Sequence, residues 1–545
     1  MTAPKHTDEQ EEPIERCSHE ACRGARMEGS NCVGHASDKE LCVAVERWSE
    51  GRLLDARDAR IDSDCLRRLL GAMKSESVEQ ALATRERERP RATACGQVRF
   101  DRATFLGDAS FNEATFAGSA RFDHATFAGS ADFRDATFRE HADFDGVTFA
   151  ERADFTKAIF EDHAGFQGAT FDGSARFDGA KFRSYADFED AKFNSDAHMN
   201  GATFQGAHQF GPFTAKDTLV LDECLFTEHV TVDATAKHVS ARSTIFTDGV
   251  SFSLSSRDIR LDCADFGRAS TLFHATIDAG EKPRLTTLRN AQVAGLSISG
   301  IDLTRCRFYG AHGLQSLTIE PSCIWPHTPK KGLCVDREMI FEEQAWRVRE
   351  KERRASRYKP WLRLAPAWST PNDDGHGSDA GAEEPVLRPE QLAALYRALR
   401  KAGEDSNDQA GAGDLYYGEM EMRLRIPLAG KGGRIHAYCD RAVIRAYWLL
   451  AGYGLRASRA FIALAAVTLL AAIPLGRHGF APSHAHPSHT YHEALVLALQ
   501  SGISLLHPPE THLSATGQEI QIALRLAAPI LLGLGALSLR SRVKR

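Results

Sequence analysis

Four side chains near the start of the chain have the types and spacing to hold a metal ion: Cys17, Cys22, Cys32 and His35, in the order Cys-x4-Cys-x9-Cys-x2-His. Thiolate and imidazole are the donors that tetrahedral structural zinc takes. Two ligand pairs joined by a short loop, in a segment too small to bury a core, is an arrangement that zinc can fold. Arg23, Gly24 and Gly29 loosen that loop, and His19 or Cys42 stand close enough in sequence to substitute as ligands. The plainer alternative for residues 1–36 is a tail of reduced thiols. A second group, His484-x-His486-x2-His489-x2-His492, has the types to bind a metal or sense pH, but reads more simply as coil. Asp143, Asp154 and Asp187 recur at one position of a repeat and read as exposed surface groups rather than a carboxylate pair. No Ser/His/Asp set and no phosphate loop after a buried strand is found, so no enzyme and no cofactor beyond structural zinc is expected.

These groups must be positioned by a chain of 545 residues, 43% hydrophobic and 26% charged. With 67 basic and 73 acidic side chains the formal charge is -6, which argues against direct nucleic-acid binding. The 12 cysteines are too scattered for a disulfide scaffold. Glu9, Glu11, Glu12 and Glu15 interrupt any apolar run at the start, so no signal peptide is expected. The skew is in the aromatics: 30 Phe against 10 Tyr and 6 Trp, the mark of a repeat that reuses one residue.

The repeat is Ala-x-Phe. From Ala103 onward its centres fall at Phe105, Phe111, Phe116, Phe122, Phe127, Phe133, Phe138, Phe144, Phe149, Phe155, Phe160, Phe166, Phe171, Phe177, Phe182, Phe188, Phe193, Met199 and Phe204, and only Val147 breaks the Ala position. The spacing alternates between five and six, so the true unit is a pair of triplets, as in Ala114–His124. A right-handed coiled coil shares that 11-residue period. At about 100° per residue, however, centres five apart sit roughly 140° from each other and no apolar stripe forms. Each of Gly107, Gly118, Gly129, Gly146, Gly168, Gly173 and Gly179 would also cost a helix about 1 kcal/mol. A period of two within the triplet instead fits a short strand, with Ala and Phe inward and the middle residue outward. Gly, Asp, Asn and Ser between triplets supply corners. Stacked coils would then place Phe over Phe in one interior ladder.

This tract resembles the pentapeptide-repeat proteins, whose central residue is Leu or Phe and whose residue two before is Ala. The resemblance implies a mainly β fold: a right-handed quadrilateral β-solenoid with four short sides per coil. The 5/6 alternation departs from the family pattern and makes a coil of about 22 residues rather than 20. Nineteen triplets fill nearly five coils, a rod of roughly 24 Å at about 4.8 Å per strand. Weaker alternation, as in Leu296-Ser-Ile-Ser-Gly300 and Leu303-Thr-Arg-Cys-Arg-Phe308, extends the solenoid over 98–320. From Phe100 to Phe210 the tract carries 19 acidic and 10 basic side chains. Some members of the family imitate DNA with an acidic rod and bind a topoisomerase. The plainer reading is a charged surface that keeps the rod soluble.

Around the rod, residues 37–97 read as a helical N-cap and 321–364 as a helical C-cap built on Phe341, Ala345, Trp346 and Val348. A disordered linker follows at 365–388, rich in Pro and Gly. Residues 389–427 read as a helical hairpin with a glycine-rich turn near Gly411 and Gly413, similar in shape to a TPR-type pair. Residues 428–456 read as a basic interfacial helix carrying Tyr447, Trp448 and Tyr453.

Residues 457–545 read as a two-span membrane domain. Ala460–Gly476 is uncharged, and Ile522–Leu539 holds one charge, Arg525, near an end where it can snorkel. Arg445, Arg456 and Arg459 precede the first span, and Arg540, Arg542, Lys544 and Arg545 follow the second. The positive-inside rule then puts both termini in the cytoplasm. Between the spans, the apolar stretch Tyr491–Leu506 resembles the dipping helix of two-helix potassium-type channels, which would assemble as a homo-oligomer through the membrane segment. Ser-Gly-Ile-Ser-Leu-Leu-His-Pro-Pro stands where such a channel's carbonyl-lined filter should follow. The whole resembles the membrane-attached pentapeptide-repeat proteins of actinobacteria. The expected function is a non-catalytic scaffold tethered at the plasma membrane that presents its solenoid to a protein partner. A channel-like protein and a topoisomerase-binding DNA mimic are the alternatives.

Overall fold

Ala and Phe of the triplets lie inside the rod, as the period of two requires, with Ala109, Phe111, Ala153 and Phe155 all 1% exposed or less and only Ala114 half-buried. The computed structural model describes residues 16–19, 22–26, 31–49, 53–73, 97–274, 282–328, 337–355, 387–406, 408–426, 434–455, 457–480, 491–503 and 513–543. The linker expected at 365–388, save its last two residues, and His484, His486 and His489 lie outside these. The chain divides into two compact units, 1–378 and 379–545.

The first unit is the solenoid. Its short strands pair in parallel with the strand one coil later, as Phe105 with Phe127 and Ala131 with Ala153. Four strands complete one coil, so the cross-section is four-sided and equivalent groups on successive coils are 22 positions apart in sequence. The two spacings are two kinds of corner. At each five-residue step the second residue after Phe takes a left-handed conformation, and the next N–H donates back to the Phe carbonyl, as Ala158 to Phe155 at 3.0 Å. Glycine fills this position at Gly146, Gly168, Gly179 and Gly201, whereas Arg102, Glu113, His124 and Lys157 adopt it with φ near +55°. The six-residue step turns without a left-handed residue.

The strand spacing decides why the inward residue is Phe. Rings on successive coils are held one strand spacing apart, about 4.8 Å, and stack almost parallel. Phe133–Phe155 and Phe155–Phe177 have centroids 4.8 and 4.9 Å apart with planes within 2°. Four such ladders run together, starting at Phe100, Phe105, Phe111 and Phe116, in place of the single ladder expected. Neighbouring ladders meet edge to face, as Phe144 and Phe149 do with Phe155 at 84° and 90°. Both geometries are favoured by the ring quadrupole. The small Ala two residues earlier leaves the volume they need.

Beyond Phe226, which pairs with Phe246, the coil shortens, and the hydrogen bond from Val250 N to Ser270 Oγ spans 20 positions. A bulge between Phe210 and Phe213 marks the changeover, and the strands Val230–Ser240 and Val250–Arg260 continue unbroken for 11 residues. Along one wall ten levels stack from Thr115 to His312, about 43 Å at 4.8 Å per step.

Both ends differ from expectation in detail. Within the expected helical N-cap, Leu54–Asp55 and Arg60–Ile61 are strands that pair with Val98–Arg99 and Thr104–Phe105. The sheet therefore starts at Leu54, flanked by helices α1 (Asp38–Ser49) and α2 (Ser63–Met73). At the other end α3 (Phe341–Ala355) supplies Glu342, whose buried Oε1 accepts the N–H of Phe308 and of Tyr309, the latter at 3.0 Å. Arg337, Glu343 and Arg347 form a buried ion cluster beside it. Burial pushes the Glu342 carboxyl up to about 7.

In the second unit α4 (Pro389–Asp405) and α5 (Gln409–Arg425) form the expected hairpin. Gly411 and Gly413 fall inside α5 rather than in the turn, because Asp408 caps that helix by accepting from Gly411 N at 3.0 Å. Gly418 lets Tyr396 pack against bare backbone: a Cβ there would lie 2.6 Å from the ring. The next helices are α6 (Arg434–Ala451), α7 (Ala457–His478), α8 (Tyr491–Ile503) and α9 (Ala515–Val543). Trp448 donates to Tyr417 at 2.8 Å, and Tyr453 is buried against Tyr417 rather than free for an interface. In sequence these rings read as interfacial because Tyr417, on the hairpin that claims them, stands 31 positions before Trp448.

Candidate functional site

Cys17, Cys22, Cys32 and His35 converge, with one donor atom of each within 4.8 Å of the others. Backbone hydrogen bonds shape the knuckle: Cys17 N donates to Gly24 O at 3.0 Å, Cys22 N to His19 O at 3.1 Å and His35 N to Cys32 O at 3.0 Å. A tetrahedron with metal–sulfur bonds near 2.3 Å and a metal–nitrogen bond near 2.0 Å needs S···S of about 3.8 Å and S···N of about 3.5 Å. The chain holds Cys22 Sγ–Cys32 Sγ at 3.7 Å, Cys17 Sγ–His35 Nδ1 at 3.5 Å and Cys32 Sγ–His35 Nδ1 at 3.4 Å. Cys32 N also donates to Cys17 Sγ at 3.4 Å. Burial pushes the Cys32 thiol up to about 12, with Cys22 and Cys17 adding to the shift. Three thiolates this close are stable only beside a cation, so the donor set fits a metal ion. Cys42 is exposed, and His19 stacks on His35 with centroids 4.2 Å apart.

The knuckle rests on the first coil. Ala25 N donates to Arg57 O at 2.7 Å, and a Cβ on Gly34 would lie 2.2 Å from the Arg60 carbonyl. Ligand geometry and the start of the sheet are thus built together.

The walls of the rod show what the carboxylates do. Asp143 and Asp154 are 4% and 5% exposed and Asp187 is half-buried, so the expectation of exposed groups fails. Each folds back on its own strand and accepts the N–H two residues on, in Asp145, Thr156 and Glu189, at 2.9–3.1 Å. Corner carboxylates tie coil to coil: Asp108, Asp145, Asp178 and Asp196 accept the N–H of Ser130, Gln167, Asn200 and Thr218, each one coil later. Arginines add contacts within a coil: Arg134 forms an ion pair with Asp132 at 2.7 Å, and Arg121 donates a hydrogen bond to Asp123 at 2.9 Å. Much of the acidity therefore closes backbone hydrogen bonds.

One wall gathers Asp123, Asp143 and Asp145 around His141, which lies 3.8 Å from Asp143 and stacks on His163 at 4.6 Å. Burial and the neighbouring Asp143 push Asp123 up to about 9, and burial pushes Asp145 up to about 6. Burial also acts to raise Asp143, but His141, Asp123 and the Asp145 N–H outweigh it and hold that carboxyl below the usual range. Gly165 makes the room: a Cβ there would sit 2.7 Å from Asp145 Oδ1. The signal in the sequence that finds this cluster is the one-coil offset that stacks these positions.

At the C-terminal end two helices are long and apolar enough to cross a membrane, Ala457–His478 and Ala515–Leu539. Helix α8 packs between them through Ala494, Leu497 and Ala498 against Ala472, Leu475 and Leu524. Arg525 lies well inside α9 rather than near its end, because the helix starts at Ala515, and its Nε and Nη2 are buried without a hydrogen-bond partner among the described residues.

No curated protein and no solved structure matches the chain. The family model for pentapeptide repeats (9 copies) matches residues 95–137, 122–170 and 166–210. The short strands, four-sided coil and stacked Phe ladders described above run through the same stretch. Residues 95–210 of the β-solenoid are pentapeptide repeats.

Proposed function

We propose that this chain is a non-catalytic scaffold, tethered to the plasma membrane by α7 and α9, whose solenoid is presented in the cytoplasm to a protein partner. The observation that carries the tether is the outward face of the two helices. Only 22% and 28% of their apolar windows are buried, and Ile462, Leu470, Leu526 and Ile530 are each more than 60% exposed. The core helix of a soluble protein would hide these side chains, whereas a bilayer covers them. The fold supports the scaffold role, since stacked coils make extended surfaces for partners. The Cys/His knuckle would hold structural zinc through Cys17, Cys22, Cys32 and His35, fastening the first coil. The zinc would supply a fixed charge and four bonds there, and no reaction.

The test combines fractionation with crosslinking. The full chain should stay with membranes through an alkaline wash, and a chain ending at Arg456 should not. A photo-crosslinker at Arg183, half-exposed on a wall, should capture a protein other than the chain itself. Full release by the wash removes the tether; crosslinks to the chain alone remove the partner.

A further inference from the structure

Where the coils change length, the rod carries a groove of about 570 Å³ whose charge is opposite to that of the tract before it. Its origin is in the interior. The ladder Phe105, Phe127, Phe149, Phe171, Phe193 ends there, and the inward position is taken by Ala215, Ala236 and Ser256. Beyond Phe193 the parallel stacking stops, and Phe213 meets it edge-on at 5.7 Å. On the outer side Lys192, Thr214, Thr235 and Ser255 stand in register on four successive levels, spanning about 14 Å. The following positions carry Lys216, Lys237 and Arg257.

We propose that this groove binds a compact anion bearing several phosphate groups. Among the described residues four cations line it and no carboxylate does. Lys237 pairs with Asp217 at 2.5 Å, but Lys192, Lys216 and Arg257 make no ion pair among the described residues. Elsewhere on the rod arginines sit two residues from an aspartate and are tied to it, as Arg134 is to Asp132. The row of hydroxyls adds donors between the charges, which suits phosphate oxygens. His274 lines the same groove with its Nδ1 buried and without a hydrogen-bond partner among the described residues. The volume is that of a small-molecule site. Among the described residues the only ring in the lining besides that imidazole, Phe193, is 1% exposed, so they offer no broad platform on which nucleobases could stack. Multiple phosphates are the recognised feature, whether on a free polyphosphate or a lipid headgroup.

The experiment is calorimetric titration of the full chain in detergent with sodium tripolyphosphate. Saturable binding that weakens steeply with added salt is expected. The variant Lys192→Ala/Lys216→Ala/Arg257→Ala should weaken it at least tenfold, and Asp217→Asn, which releases Lys237, should tighten it. Parallel titrations with a short-chain soluble phosphatidylinositol bisphosphate assign the source by whichever binds more tightly. Absence of binding by either probe, or equal affinity of wild type and triple variant, overturns the proposal.

Discussion

Truncating Phe155 to Ala tests whether ring stacking, beyond burial, holds the coils together. Phe155 is fully buried, lies between Phe133 and Phe177 at 4.8 and 4.9 Å, and meets Phe144, Phe149 and Phe166 edge-on. Loss of a buried Phe side chain costs about 3–5 kcal/mol, including the cavity left behind. Each good aromatic pair adds about 0.5–1.5 kcal/mol beyond area, so a site with five such ring neighbours belongs at the upper end, about 5 kcal/mol. Phe266 is equally buried, but its one ring neighbour among the described residues, Phe246, is 6.0 Å away. Phe266→Ala should therefore cost nearer to about 3 kcal/mol. In a solenoid stability is a sum of neighbouring interfaces, so the loss stays local. Hydrogen exchange followed by mass spectrometry reads it at the amides of Phe133 and Phe155, which donate to Asp154 and Arg176 on the next coil. At about 1.4 kcal/mol per decade, protection should fall there by three decades or more and remain unchanged beyond about two coils. Equal costs at Phe155 and Phe266 would refute the stacking argument and leave burial alone as the cause. Phe155→Asp goes further, because an unpaired charge cannot stay among rings. Wild-type protease resistance in that variant would contradict the inward placement itself.

The C-terminal cap should be pH-sensitive. Glu342 has its carboxyl raised from 4.5 to about 7, so the folded state binds more protons between these values, and cap stability present below pH 4.5 is lost as pH rises through 7, by up to about 3 kcal/mol. Glu342→Gln, read by exchange at the Phe308 amide, should abolish that slope; an unchanged slope places the titration elsewhere. Asp123, raised to about 9, is protonated at neutral pH. Asp123→Asn, which mimics the protonated carboxyl, should remove a decline of local protection that runs between about pH 4 and pH 9, leaving the variant better protected than wild type at pH 7, whereas destabilisation by the variant at pH 7 would show that Asp123 is ionised there. If zinc occupies the knuckle, chelation should open Cys17, Cys22 and Cys32 to alkylation, and Cys32→Ser should leave the other two reactive even with zinc present. Identical alkylation with and without chelator removes the metal.

What is legible in the sequence comes from side-chain period. Ala-x-Phe states inward and outward directly, and the unit of two triplets, doubled, is one four-sided coil. Spacing also brings Cys17, Cys22, Cys32 and His35 to one point. The strands at Leu54 and Arg60 are illegible because such short strands without the Ala-x-Phe signature, beside Arg57 and Asp58, carry no pattern. The buried aspartates mislead because composition reports charge, whereas Asp143 and Asp154 direct it at their own backbone. Glu342 lies in a charged run whose partners, the amides of Phe308 and Tyr309, stand 34 and 33 positions earlier.

The two corner types give the interior and the exterior different periods. Inside, an Ala-x-Phe pair recurs every half-coil, so removing a half-coil would leave each ring over a ring. Outside, the walls recur only every full coil, and the same deletion would slide His163 and Tyr185 from above His141 onto the opposite wall. Gain or loss of half-coils is thus nearly silent to the core yet reshuffles every surface beyond the cut, whereas whole coils lengthen the rod and preserve its faces. Such a chain can change its length by one kind of step and its binding surface by another, with the same Phe ladders underneath both.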